Sequence, residues 1–246
     1  MRKAKTILFC TALEIVLIAC VAFANRSLKP LHYFFWYNLL YGMVFSFLLP
    51  LFLLRRENNI FFLIGLIPLR RKQIAVLILF DIFSVGGQLL PIAATGKTIP
   101  WHLLPAGIVP LIMTTFFEEF LFRGFIQNRF EKVFGTFPAI LVSGLAFSLY
   151  HTGYPGFRTF GDILLLFSVG VMFAGAYRLS GNNLTVAYFV NLPNAFATYM
   201  LKCEQFPVMT ASSTAAGIIT LCMITAVFIL LLRKTPRLPI EPAAKI

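Results

Sequence analysis

The sequence predicts an all-α protein built as a polytopic bundle of transmembrane helices. Of its 246 residues, 59% are hydrophobic and 12% are charged, and the mean hydropathy is +0.85. Soluble globular domains carry about 25% charged residues, so this composition excludes an ordinary water-soluble fold. Apolar stretches of about 20 residues, the length that crosses a bilayer, recur along the whole chain.

These stretches predict about eight spans, separated by connections that contain charged residues, glycine or proline. The predicted spans are residues 6–24, 31–54, 74–94, 104–126, 137–153, 161–178, 183–201 and 211–232.

The first span has two interpretations. Its basic start, its apolar run and the tripeptide Ala22-Phe23-Ala24 are typical of a secretory signal with a cleavage site. Glu14 lies in the middle of that run and favours a retained helix instead. Cleavage would leave seven spans with the same orientation.

The remaining spans complete a single membrane domain, residues 1–234, with a motif-bearing core at about residues 104–200. The connection of residues 55–73, between the second and third spans, is the longest on the predicted cytoplasmic side. Its apolar stretch Ile60 to Pro68 is too short to cross a bilayer, so we expect it to lie at the interface. The tail of residues 235–246, which contains three prolines, is predicted to be a disordered cytoplasmic segment.

Basic residues flank the predicted spans unequally. With the N-terminus placed in the cytoplasm, 16 of the 21 Lys and Arg residues fall on the cytoplasmic side, counting Arg123 and Arg178 near the cytoplasmic ends of their spans, as the positive-inside rule predicts. The net charge of +12 therefore reflects membrane topology, and we expect no nucleic-acid binding because no basic patch is interleaved with aromatic residues. We expect an integral plasma-membrane protein of a bacterium, with both termini cytoplasmic and membrane lipids as partners.

Three ionisable residues, Glu118, Glu119 and Arg123, lie within the fourth predicted span. Each charge at the centre of a spanning helix costs roughly 2.5–3.5 kcal/mol, so the three need partners or a function. Residues four apart share a helix face, which predicts an ion pair between Glu119 and Arg123. Adjacent residues point about 100° apart, so Glu118 is expected to face a different neighbour. A carboxylate beside another carboxylate in a low-dielectric surrounding accepts protons readily, as a general base must.

The next two polar candidates lie on other predicted spans. His32 and His102 lie near the outer ends of helices, so His151 is the histidine candidate. Glu118 lies 17 residues before Gly135, and His151 lies 16 residues after it. If the fourth and fifth helices form a hairpin that turns near Gly135, the two side chains reach a similar depth in the membrane. Asn191 lies in the seventh span, where an amide must find a hydrogen-bond partner.

These residues, in this order, resemble the motifs of the intramembrane CAAX-protease and bacteriocin-processing (CPBP) proteases, which include prenyl-protein endopeptidases and bacterial Abi-type proteins. Glu118, Glu119 and Arg123 form a Glu-Glu-x-x-x-Arg motif, and Phe147 and His151 form a Phe-x-x-x-His motif. The resemblance covers roughly residues 104 to 200.

The resemblance implies an intramembrane endopeptidase that hydrolyses a peptide bond of a membrane-associated or lipidated peptide or protein. By this resemblance, Glu118 would activate a water molecule, His151 would handle the proton and Asn191 would face the developing oxyanion. Arg123 would hold Glu119 and the local helix geometry, with Phe147 as a supporting residue.

The third motif of the family would fall at Tyr188 to Asn191, and here the sequence departs from the family pattern. Tyr188 stands where a histidine is usual, while Asn191 is retained. A tyrosine hydroxyl also donates a hydrogen bond, so Tyr188 is a further candidate for the oxyanion site. The alternative function is that of a catalytically degenerate membrane adaptor or bacteriocin-immunity protein with the same fold.

No cofactor or metal is expected. A catalytic zinc ion usually has three protein ligands among which histidine is prominent, and the sequence contains no His-Glu-x-x-His motif. The alternative is a zinc site formed by Glu118, Glu119 and His151. A proton-coupled transporter could also use buried acids and a histidine, but the repeated halves typical of transporters are not found in the sequence.

Overall fold

The computed structural model describes residues 2–27, 29–57, 59–96, 98–157, 159–202 and 209–234. Within these ranges the regular secondary structure is helical throughout, which confirms the predicted all-α class. The helices are α1 (Arg2–Ala24), α2 (Pro30–Leu54), α3 (Ile60–Leu63), α4 (Arg71–Ala94), α5 (Trp101–Phe134), α6 (Thr136–Tyr150), α7 (Phe160–Leu179), α8 (Leu184–Leu201) and α9 (Ala211–Lys234). The predicted disordered tail, residues 235–246, lies outside the described residues.

Six helices of the described chain, α1, α2, α4, α5, α7 and α9, are long and apolar enough to cross a membrane. The polytopic bundle is therefore confirmed, and the predicted number of eight spans is approximate. The two other predicted spans correspond to α6 and α8. Helix α6 has 15 residues, fewer than a span usually needs, and α8 carries Asn191 and Asn194, which lower its hydropathy.

Helix α5 passes through the protein core and has an irregular middle. Residues Glu119–Gln127 are wound as a π-helix, and all nine are buried. In a π-helix the backbone hydrogen bonds join residues five apart, so each turn holds more residues than in an α-helix. Short π-helical segments are frequent at functional sites, and this one begins at Glu119. Helix α2 contains a second and longer π-helical segment, Phe34–Leu48.

Helices α6 and α7 cross at two glycines, Gly144 and Gly170. A Cβ atom added to Gly170 would lie 2.8 Å from the carbonyl oxygen of Gly144, so the two backbones are in direct contact. Small residues allow this close approach in membrane bundles, where apolar side chains gain nothing by leaving lipid for protein. The crossing brings the Gly170 carbonyl into the interior, next to α5.

The apolar stretch predicted at the interface packs against the bundle. It contains α3 and then Gly65, which has a φ of +83°, a conformation that favours glycine. The Gly65 carbonyl accepts a 2.7 Å hydrogen bond from the Leu184 amide, at the start of α8, and Ile64 is fully buried. This contact ties the connection between α2 and α4 to the helix that carries Asn191.

Candidate active site

The two glutamates meet at one side-chain amide. Both are buried, and Asn191 Nδ2 donates to Glu118 Oε2 at 2.9 Å and to Glu119 Oε1 at 2.8 Å. Glu118 thus faces neighbours other than Arg123, as the helix geometry predicts, but it shares one of them, Asn191, with Glu119. The π-helical turn that begins at Glu119 contributes to the convergence, because successive side chains diverge less where a turn holds more residues.

Arg123 is fully buried and makes the ion pair predicted from its spacing. Its Nη1 lies 3.1 Å from Glu119 Oε1, and its Nη2 donates to the Gly170 carbonyl at 3.0 Å. The guanidinium also lies 4.8 Å from the ring centre of Phe147 and 5.3 Å from that of Phe173, within the range of cation–π attraction. The charge of Arg123 is thus compensated on several sides, and Phe147 lies beside it.

His151 begins a 3₁₀ turn, His151–Gly153, at the end of α6, and its side chain is buried. Its Nδ1 lies 2.7 Å from the Phe147 carbonyl oxygen. Because a carbonyl oxygen only accepts hydrogen bonds, Nδ1 must carry the proton, and in the neutral ring Nε2 then holds a free electron pair. This hydrogen bond selects the tautomer in which Nε2 can accept a proton.

Tyr150 connects His151 to Glu118, and sequence reasoning missed it. Its hydroxyl donates to Glu118 Oε1, and its ring centre lies 4.1 Å from that of His151. The hydrogen bonds of the described residues include none between Glu118 and His151, and Tyr150 is the residue that contacts both. A buried tyrosine usually finds a polar partner for its hydroxyl. The one signal for Tyr150 in the sequence was its position next to His151.

A group of tyrosines continues from Tyr150 toward α2. Tyr41 stacks on Tyr150 with ring centres 5.6 Å apart and an angle of 14° between the planes. Tyr154 donates to the Tyr37 hydroxyl at 2.8 Å, and Tyr37 donates to Thr114 Oγ1 at 3.2 Å. These hydroxyl groups place polar atoms in the core near the glutamates. Hydroxyl groups ionise far less readily than carboxylates.

Tyr188 does not join this group in the structure. It is half-buried, and its hydroxyl donates to the Ile112 carbonyl oxygen at 3.3 Å. The hydrogen bonds found among the described residues do not connect it to Glu118 or Glu119. Asn194, one turn after Asn191, accepts a 2.6 Å hydrogen bond from Gln88 of α4 and so belongs to the packing between α4 and α8.

The alternative zinc ligands do not fit a metal ion well. Within the described ranges, no three His, Cys, Asp or Glu side chains form a group that could hold one. Oxygen atoms of Glu118 and Glu119 already accept hydrogen bonds from Asn191, and Glu119 is also paired with Arg123. A zinc ion would have to compete with a guanidinium for the same carboxylate.

The sequence of this region matches a known protein family. Residues 100–196 match the model of the Rce1-like family, described as "Type II CAAX prenyl endopeptidase Rce1-like". The matched region runs from the start of α5 into α8 and contains both glutamates, His151 and Asn191. A comparison with curated proteins gave no match. The match agrees with the resemblance to CPBP proteases noted over nearly the same residues.

Proposed function

We propose that this membrane protein is an intramembrane endopeptidase, because residues 100–196 match the Rce1-like family model of type II CAAX prenyl endopeptidases. Its substrate is a membrane-associated or lipidated peptide or protein, and the attacking group is a water molecule activated by Glu118. The observation that carries the proposal is the convergence of two buried carboxylates on Asn191, with Tyr150 bonded to Glu118 and packed on the buried His151. Ionisable groups are costly in this surrounding and are usually functional.

Glu118 is well suited to the role of general base. Each of its oxygens accepts one hydrogen bond, from Tyr150 and from Asn191, which orients the carboxylate. Each carboxylate oxygen retains a further electron pair. One of these pairs accepts a proton from the water molecule while the oxygen of that water attacks the carbonyl carbon of the substrate. Glu119 is less available because Arg123 holds it in an ion pair.

The other residues complete the reaction. The proton taken by Glu118 then passes to Nε2 of His151 and from there to the leaving nitrogen, and the tetrahedral intermediate collapses as the carbon–nitrogen bond breaks. Asn191 stabilises the oxyanion: once Glu118 is protonated it accepts hydrogen bonds less strongly, so one amide hydrogen can turn to the new negative charge. No step requires a metal ion.

A cleavage assay tests this proposal. The full chain in lipid nanodiscs is given a peptide with a lipidated C-terminal cysteine, and separately the same peptide without lipid. Glu118→Gln keeps the size of the side chain but cannot accept the proton, so kcat should fall by at least about 10²-fold, and His151→Ala should behave similarly. The matched control is Glu14→Gln, an equally buried acid on α1, which should leave turnover unchanged. A chelator in the same assay should have no effect.

Parent-like turnover by Glu118→Gln would contradict the assignment of the base. Loss of activity on chelation, restored by zinc, would contradict the metal-free reaction and favour the zinc alternative.

One observation favours the second candidate, a degenerate adaptor or immunity protein. Tyr188 replaces the usual histidine, and its hydroxyl is bonded to the Ile112 carbonyl rather than to the acids. A Tyr188→His variant that cleaves a peptide left intact by the parent would favour this second function.

A further inference from the structure

A second polar region lies at the end of the bundle where α1 begins. There a cavity of about 290 Å³ opens between the first turns of α1, the end of α2 and the last turns of α5. We call it the basic cavity, because its lining includes Lys5, Arg129 and Lys132 against a single acid, Glu57. Neither the glutamates of the candidate active site nor His151 line it.

The three cations lack carboxylate partners in the described part of the chain. The ion pairs found there join Arg123 to Glu119 and Arg178 to Glu131. Lys5 and Lys132 are exposed, so their ammonium groups can move toward a ligand. Three positive charges therefore face one negative charge across a space large enough for a phosphate group.

Arg129 is the most fixed of the three. Its guanidinium lies 5.1 Å from the ring centre of Phe9 and 5.7 Å from that of Phe125, and its Nε is buried without a hydrogen-bond partner. Two aromatic rings thus hold the charge in place while its hydrogen-bonding capacity is not used up. Arginine in such a position forms strong charge-assisted hydrogen bonds with phosphate oxygens.

The remaining lining is apolar and continues to the outside of the bundle. Leu53, Leu54 and Val133 line the cavity, and Leu53 is exposed. Close by in the chain, Phe52 and Leu8 are also exposed large hydrophobic residues. In a membrane protein such side chains contact the acyl chains of lipids. The cations therefore lie where the phosphate of a phospholipid would be if the acyl chains of that lipid followed this surface.

We propose that the basic cavity binds the phosphate of an anionic phospholipid head group, with Lys5, Arg129 and Lys132 as its ligands. Basic pockets between the ends of membrane helices are suited to this chemistry. Glu57 opposes binding, since it brings a negative charge to the same space. The site is separate from the proposed peptidase reaction and does not depend on it.

Native mass spectrometry of the full chain in detergent, titrated with dioleoylphosphatidylglycerol, tests the proposal. Each cation near a membrane phosphate contributes ~1 kcal/mol, so Lys5→Gln with Lys132→Gln should weaken binding about 30-fold. By the same reasoning, Glu57→Gln should strengthen it about fivefold. All three side chains are exposed, so these variants should fold normally.

The matched control is Arg71→Gln with Lys72→Gln, which removes the same charge from exposed residues outside the cavity. This pair should change binding less than threefold. Equal weakening by the two double variants would show general charge attraction and overturn the proposal, as would equal binding of the zwitterionic dioleoylphosphatidylcholine. A different outcome would be that millimolar inorganic phosphate displaces the lipid and that Lys5→Gln with Lys132→Gln weakens phosphate binding as much as lipid binding. That result would identify a free-phosphate site and overturn the lipid assignment.

Discussion

At the scale of single residues, the candidate site depends on how each buried charge is held. Arg123 compensates Glu119, whereas Glu118 is held by the neutral donors Tyr150 and Asn191. Of two adjacent acids, the one without a direct ion pair is the better proton acceptor, because the positive charge of Arg123 stabilises its ionised form less. The difference in partners gives the two glutamates different roles.

Tyr150→Phe tests whether the tyrosine orients Glu118. The variant keeps the ring that packs on His151 but removes the hydroxyl that donates to the carboxylate. A hydrogen bond to a charged group contributes about 1.5–3 kcal/mol, so we expect kcat for peptide cleavage to fall by about tenfold or more, with KM little changed.

Tyr177→Phe is the control for this prediction. Tyr177 is fully buried, and its hydroxyl accepts a 2.7 Å hydrogen bond from Asn128, outside the candidate site. It should lower the melting temperature without a comparable loss of kcat. If both variants lose activity only in proportion to stability, Tyr150 has no positioning role.

At the scale of helices, the geometry of α5, α6 and α7 decides where the charges meet. The close crossing at Gly144 and Gly170 brings the Gly170 carbonyl to Arg123, which in turn holds Glu119. The spacing of four residues was enough to predict the ion pair from sequence. The acceptor at Gly170 could not be predicted, because it depends on which helices cross and at which residues.

Gly170→Ala should destabilise the protein. An added Cβ would lie 2.8 Å from the Gly144 carbonyl oxygen, so the two helices must separate, at a cost of about 1–3 kcal/mol. The shift also moves the carbonyl that Arg123 needs, so peptide cleavage should fall as well. Thermal unfolding in detergent and the cleavage assay measure the two effects.

Gly175→Ala, on the same helix, is the matched control, since a Cβ there meets no atom within 4 Å. Alanine favours the helix by about 1 kcal/mol relative to glycine, so this variant should be as stable as the parent or more stable. Equal melting temperatures for the two variants would show that the crossing is not tightly packed.

At the scale of the whole molecule, composition and hydropathy were sufficient to predict the all-α membrane bundle. The number of spans was harder to predict, because α6 is short and α8 carries two asparagines, so neither has the length and hydropathy of an ordinary span. The motif residues Glu118, Glu119 and Asn191 do converge, as expected if the resemblance is sound. Tyr150 and the tyrosines behind it were missed, since aromatic residues in apolar helices give no signal until packing shows their neighbours.

The membrane orientation remains a prediction from the distribution of Lys and Arg residues. A green fluorescent protein fused after residue 246 should fluoresce in bacterial cells, because both termini are expected in the cytoplasm. Alkaline phosphatase fused after Gly96, in the connection between α4 and α5, should be active, because that connection is expected on the outer side. The reverse pattern of the two reporters would contradict the predicted orientation.

The π-helical turn of α5 makes the length of this segment as important as its composition. Removing one residue between Phe120 and Phe125 would favour ordinary α-helical winding and rotate the end of α5 relative to its beginning. A deletion of Gly124 would keep the spacing of Glu118, Glu119 and Arg123 and still turn Gln127 away from the Ala174 carbonyl oxygen, to which it donates a hydrogen bond. Among related proteins, the length of this π-helical segment should therefore vary less than the amino acids that occupy it.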